Sequence, residues 1–205
     1  MSPALVAIAV PLAYLVGTLP TAQLVAARLG RDPMAEGSGN PGATNVARIA
    51  GWRAGVVVLL IDFAKGVVPT LVGWALAGRA AALALGIAAV LGHVLPLTRR
   101  LRGGKGVATT GGVLVVLFPI LTAVAAVVFL VVVRLTHTSS VASLVISVGF
   151  PAAAGLLGAP WPETVALVAL GVLVIVRHLP NLRRLVKGEE LPLGPGSVSA
   201  DEGET

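Results

Sequence analysis

Apolar runs long enough to cross a lipid bilayer recur along almost the whole of this 205-residue chain, at residues 3–27, 54–76, 80–97, 107–133, 139–157 and 163–176. The hydrocarbon layer is about 30 Å thick and a helix rises about 1.5 Å per residue, so roughly 20 apolar residues span it. Backbone N–H and C=O groups in that medium must be satisfied within the chain, which makes each run a helix. Only 12% of the residues are charged, against 56% hydrophobic, roughly half the charged share of a soluble domain. The expected fold is all-α, a polytopic membrane helix bundle.

Counting each run as one crossing places two basic segments, 99–105 and 177–187, on opposite sides of the membrane, against the positive-inside tendency. The run 107–133 instead predicts two short helices meeting near Pro119, whose ring and missing N–H break a helical ladder. About seven transmembrane segments follow, the fourth and fifth short. With the N-terminus external, the cytoplasmic side receives Arg28, Arg31, Arg48, Arg53, Arg99, Arg100, Arg102, Lys105, Arg134, Arg177, Arg183, Arg184 and Lys187, thirteen of the fifteen basic residues. Arg79 is external and Lys65 lies inside a span. The first run has no basic stretch before it and exceeds the core of a secretory signal, so it reads as a retained helix. Residues 1–190 form one membrane domain, and the polar, acidic residues 191–205 a disordered tail.

A sequence pI near 11.1 does not imply nucleic-acid binding, because the basic residues flank apolar spans and line no single polar face. The absence of cysteine excludes disulfides and thiol nucleophiles. Three separated histidines with few acids near them predict no metal site.

Polar chemistry gathers in three loops that this topology places on one membrane face. Residues 37–48 read GSGNPGATNVAR. Ser38 or Asn40 is expected to cap a short helix with Pro41 near its first turn. Thr44 and Arg48 then share a face at i, i+4. Backbone N–H groups, hydroxyls and a guanidinium at a helix end suit an anionic oxygen, most often phosphate. Residues 103–106, GGKG, let backbone approach an anion beside a lysine point charge, although the same residues equally serve a positive-inside anchor. No GxxxxGK[ST] phosphate loop is present. In the third, His178 and Asn181 share a face if the last helix continues past Pro180. Asp62 and Lys65, at i, i+3 inside a span, read as a mutually neutralising pair facing the bundle interior rather than as reacting groups.

Together these motifs closely resemble the bacterial integral-membrane acyl-phosphate:glycerol-3-phosphate acyltransferases, the PlsY family. The resemblance rests on GSGNPGATN followed by Arg48, on GGKGVAT at 103–109, and on Arg177-His178 with Asn181 followed by Arg184-Leu185, Gly188 and Glu190. Asp62, Lys65 and Gly66 and the Gly92, His93, Pro96 element are also similar, and the likeness covers residues 3–190. It implies transfer of a fatty acyl group from acyl phosphate to the 1-hydroxyl of glycerol 3-phosphate, giving lysophosphatidate, at the cytoplasmic face of the bacterial inner membrane. No cofactor is implied. Membrane lipids surround the protein, and a functional link to the soluble enzyme that makes acyl phosphate follows.

An acyl phosphate carries its own good leaving group, so no acyl-enzyme is required. The chain holds no GxSxG elbow, and no HxxxxD pattern, since Thr98, Ala142 and Arg183 stand where the aspartate would. The expected catalytic set is Ser38, Arg48, Lys105, His178 and Asn181. Phosphate contacts are expected from Ser38, Asn40, Thr44, Asn45, Arg48, Gly103, Gly104 and Lys105, and structural support from Asp62, Lys65 and Glu190. The base is His178 or a substrate phosphate oxygen. A transporter for a phosphorylated solute is the competing class. It predicts polar residues near the midplane of several spans, whereas Asp62 and Lys65 are almost the only deep charges.

Overall fold

The computed structural model describes residues 3–194, and among them every regular element is helical. In order these are α1 (Pro3–Gly17), α2 (Thr21–Ala27), α3 (Ala43–Ala50), α4 (Trp52–Val94), a 3₁₀ turn (Leu97–Arg99), α5 (Val107–Leu117), α6 (Pro119–Thr136), α7 (Ser139–Leu156), α8 (Trp161–Arg177) and α9 (Leu179–Lys187). The integral membrane bundle expected from the apolar runs is present.

Helix α4 is too long for one crossing and is two limbs. Ala77 and Gly78 leave helical geometry, with Gly78 at φ +75°, a conformation glycine adopts without a Cβ clash. The run 107–133 breaks at Phe118, directly before Pro119, because a residue preceding proline is pushed out of the helical region. Helix α5 is short, about 16 Å at 1.5 Å per residue, yet it joins the two ends of the bundle. It starts beside Val94, at the end of α4, where a Cβ on Gly106 would meet that side chain. At its other end the Leu117 carbonyl accepts from Arg79 Nη1 at 2.9 Å. Arg79 also binds Glu163, at the start of α8, through Nε and Nη2 at 2.6 and 2.8 Å. One end of the bundle thus carries the turns at 77–79, 117–119 and 157–160, and the opposite end carries the polar loops.

The expected single helix over 3–27 is broken. Pro20 cannot donate into the ladder, and the chain leaves helix between α1 and α2. The carbonyls this frees are capped from elsewhere: Leu19 accepts from Lys65 Nζ at 2.7 Å and Thr18 from Arg99 Nη2 at 3.2 Å.

Within hydrocarbon, close backbone approach replaces the hydrophobic effect as the packing force. A Cβ on Gly66 of α4 would fall on the Thr109 carbonyl, and one on Gly112 of α5 on the Phe63 carbonyl. Gly17 of α1 and Gly92 of α4 meet the Ala89 and Tyr14 carbonyls in the same way. Helix α6 buries none of its residues, and Ile120 and Leu135 are 83% and 75% exposed, the pattern of a lipid-facing helix.

Gly66→Val is therefore expected to force α4 from α5 and to cost about 1–3 kcal/mol or more, read as a lower detergent-solubilised melting temperature. Gly149→Ala, with open space at its Cβ, should stay at or slightly above wild type.

Candidate active site

The loop before α3 is built around one buried amide. Asn45 donates from Nδ2 to the carbonyls of Pro33 and Glu36, both at 3.0 Å, and accepts from Ser38 N at 2.8 Å and Arg48 Nη1 at 3.3 Å. It was expected to contact phosphate. Both of its N–H donors are taken by the loop's own carbonyls, so the amide holds the loop while its side chain also borders the cavity described below. The expected side-chain cap is also absent: Gly42, in extended geometry, is the N-cap of α3 and neither Ser38 nor Asn40 bonds there. Thr44 Oγ1 instead lies 3.3 Å from Ser139 Oγ, at the start of α7.

The glycines of the second loop are likewise there for packing. Gly104 N donates to the His93 carbonyl at 3.1 Å, and Cβ atoms on Gly103 or Gly104 would collide with that carbonyl and with the His93 ring. The Gly103 and Gly104 carbonyls accept from Arg177 Nη2 and Nε at 2.8 and 3.3 Å. Neither glycine, both expected to contact phosphate, borders the cavity described below; together they form a backbone seat beside Lys105.

The third segment bends. Helices α8 and α9 meet at 54° around His178, and Pro180 occupies the first turn of α9, where its missing N–H costs nothing. His178 and Asn181 therefore do not sit on one continuous helix, but both are buried and both face the same space. His178 Nδ1 is 2.8 Å from the Val174 carbonyl. That bond makes Nδ1 the protonated nitrogen and leaves Nε2 as an acceptor.

Side chains from all three loops meet. Lys105 Nζ donates to Asn181 Oδ1 at 2.6 Å. Asn181 Nδ2 donates in turn to Glu190 Oε1, which also accepts from Ser140 Oγ at 2.9 Å, while Arg184 Nε reaches Glu190 Oε2 at 2.8 Å. The expected tail begins inside this site. Leu191 borders the cavity, Pro192 O accepts from Arg48 Nη2 at 2.9 Å, and Leu193 N donates to His137 O at 2.8 Å. The expected tail residues 195–205 lie outside the described residues.

Beneath, Lys65 Nζ binds Asp62 Oδ1 at 2.7 Å, both side chains 3% exposed, with His93 Nδ1 3.8 Å from the same oxygen. Among the described residues no three His, Asp or Glu side chains gather to hold a metal ion.

These groups open on one cavity of about 480 Å³. Its mouth holds Ser38, Asn40, Thr44, Asn45, Arg48, Lys105, His178 and Asn181, and its body is mainly apolar, with Leu114, Phe129, Ile146, Phe150, Leu167 and Leu170 beside the hydroxyls of Thr122, Ser143 and Ser147. Two residues stand outside the expected site set: Arg177, quoted as part of a motif, which holds the Gly103 and Gly104 carbonyls, and Thr110 on the cavity wall. Arg177 adjoins His178 in the third motif, and Thr110, whose buried hydroxyl has no partner among the described residues, borders the cavity just after GGKG. Burial pulls the Lys105 ammonium down to about 8, opposed by Glu190 and reinforced by Arg184, Arg48 and Arg177. Burial also lowers the Arg48 guanidinium, again against Glu190.

A family model described as glycerol-3-phosphate acyltransferase matches residues 7–188. The chain belongs to this family, of the integral-membrane PlsY type. The glycerol-3-phosphate acyltransferase of Pseudomonas paraeruginosa is 45% identical over 184 residues, covering 87% of this chain and 95% of that protein. The one from Shewanella loihica is 41% identical over 180 residues, covering 87% and 88%. Two crystal structures of PlsY superpose on the fold. The glycerol 3-phosphate form has a TM-score of 0.88 at 34% identity, covering 92% of this chain and 96% of that one. The lysophosphatidic acid form has a TM-score of 0.84 at 33% identity, covering 92% and 95%.

The lowered Lys105 value has a sign. The ammonium is present below about pH 8 and lost above it. Activity expressed as kcat/KM for glycerol 3-phosphate, which reports the free enzyme, is expected to fall as pH rises through about 8. Lys105→Arg, cationic throughout, should abolish that alkaline limb in whatever activity it retains.

Proposed function

We propose that the enzyme transfers a fatty acyl group from acyl phosphate to the 1-hydroxyl of glycerol 3-phosphate, by direct attack and without an acyl-enzyme. The carrying observation is one cavity that is cationic and hydrogen-bonding at its mouth and mainly apolar in its body, a shape that matches a phosphorylated head joined to a fatty chain. The PlsY relatives solved in glycerol 3-phosphate and lysophosphatidic acid forms support the acceptor and the product.

In this reading Arg48 and Lys105 neutralise phosphate charge, with Ser38, Asn40 and Thr44 as further contacts. Arginine offers a planar fork to two oxygens and lysine a point charge. His178 and Asn181 orient glycerol 3-phosphate, and Lys105 and Glu190 hold the Asn181 amide between them. Asn45, Gly103 and Gly104 shape the two loops. Asp62 and Lys65 support the seat beneath.

The acceptor hydroxyl attacks the acyl carbonyl carbon. The new ester C–O bond forms, the C–O bond to phosphate breaks, and inorganic phosphate leaves with the electron pair. The hydroxyl proton passes to His178 Nε2 or to a phosphate oxygen of the substrates. Positioning and charge neutralisation supply the acceleration.

The loop end faces the cytoplasm of a bacterial inner membrane, following the basic residues that crowd it, and the N-terminus lies outside. A soluble enzyme that makes acyl phosphate supplies the donor. Single cysteines at Ser38, Arg102 and Lys187 are each expected to react with a membrane-impermeant maleimide from the cytoplasmic side only; labelling of any one from outside breaks the shared-face site.

Purified protein is expected to make lysophosphatidate from acyl phosphate and to fail with acyl-CoA. Arg48→Ala and Lys105→Ala should each lose about 2–4 kcal/mol of transition-state stabilisation, roughly 30- to 1000-fold in rate. Arg48→Lys should lose much of the activity despite its charge. Arg183→Ala, exposed on α9, should stay within a few-fold of wild type. Equal activity of correctly inserted Arg48→Ala and Arg183→Ala would remove the phosphate assignment.

A further inference from the structure

The apolar body of the cavity has a floor. Along α7 the lining runs from Ser139 at the mouth to Phe150 and Pro151, and along α8 from Val174 down to Leu167. Ser139 to Phe150 is about 16 Å of helix, as is His178 to Leu167. At that depth Leu114, Phe150, Ala154 and Leu167 close into one buried cluster, with Phe118, Leu121 and Ala125 packed against it.

The floor is braced rather than soft. Phe150 is 4% exposed and meets Phe118 edge to face, ring centres 6.0 Å apart with planes at 80°, a favoured aromatic geometry. On the side away from the cavity, the Arg79 guanidinium lies 4.6 Å over the Phe118 ring, within cation–π range. That guanidinium is itself fixed by both Glu163 oxygens and the Leu117 carbonyl. Phe118 does not border the cavity and Phe150 does. The ring that a chain end would reach is thus Phe150, and Phe118 and Arg79 stop it from swinging away.

We infer that Phe150, buttressed by Phe118 and the Arg79–Glu163 pair, is the residue that limits the length of acyl chain this enzyme accepts. The inference rests on the acyl transfer proposed above, with the chain lying in the apolar body and its reacting carbonyl at the mouth. A well-packed aromatic floor in hydrocarbon resists extra methylenes because they displace side chains already in contact. Ala125, half-buried on α6, borders the cavity at the same depth, so enlarging it raises the floor from the opposite wall.

The test compares kcat/KM for lauroyl, palmitoyl, stearoyl and arachidoyl phosphate in wild type, Phe150→Ala and Ala125→Phe. Phe150→Ala is expected to raise the arachidoyl-to-palmitoyl ratio roughly tenfold or more, and Ala125→Phe to lower the palmitoyl-to-lauroyl ratio by a similar factor, the size expected for methylenes gained or refused by an apolar pocket. General damage scales all donors together and leaves the ratios unmoved. Unmoved ratios in inserted, folded variants overturn the floor. Should Phe150→Ala not insert, Phe150→Leu and Ala125→Phe decide by the same ratios. The donor reading fails separately, through a wild type that ignores every acyl phosphate and turns over acyl-CoA; the ratios are then read on the matched acyl-CoA series.

Discussion

Lys105, Asn181 and Glu190 form a short polar chain on which the whole site depends. Lys105 arrives from the loop before α5, Asn181 from the first turn of α9, and Glu190 from beyond α9. Asn181 is an amide between a cation and a carboxylate, accepting through oxygen and donating through nitrogen, so both bonds are charge-assisted. Removing any member leaves a buried charge or amide without its partner, which costs more than the bond itself was worth. Ser140 and Arg184 extend the chain to α7 and back to α9. The cations at this end exceed the carboxylates, and Glu190 holds them together while leaving an excess positive field suited to phosphorylated substrates.

The opposite end is held differently. There a single arginine ties three turns, binding Glu163 of α8 and the last carbonyl of α5 while lying over the Phe118 ring. Between the two ends the helices touch through glycine, with backbone against backbone at Gly66 and Gly112 and at Gly17 and Gly92. Rigid contacts on both sides suit the proposed mechanism, in which rate comes from position and charge, because neither depends on rearrangement during the reaction.

Much of this was legible in residue order. The apolar runs announced the helices, the 107–133 run divides where Pro119 said it would, and the 54–97 stretch turns back at Ala77 and Gly78 between the two expected spans. The three loops do share an end. The break at Pro20 was missed because its compensation comes from Lys65 and Arg99, remote in sequence. The contacts of Pro192 and Leu193 with Arg48 and His137 were not legible for a similar reason, since these residues are polar only through their backbone.

Sequence by itself determined the helical membrane class, the family motifs and which side chains carry charge into the loops. It could do so because lipid imposes one-dimensional rules: apolar length sets the spans, and basic residues collect at their exits. Tertiary structure alone decided which polar atoms are engaged and which face the cavity. Asn45, Gly103 and Gly104 look equivalent in a string of letters, yet the amide of the first donates to its own loop while bordering the cavity, and the glycines pack against His93 outside it. The floor at Phe150 was also invisible in the string, because an aromatic ring becomes a wall only when another helix places Phe118 behind it. Hydrogen-bond occupancy and steric closure are properties of pairs distant along the chain, and folding is what makes those pairs neighbours.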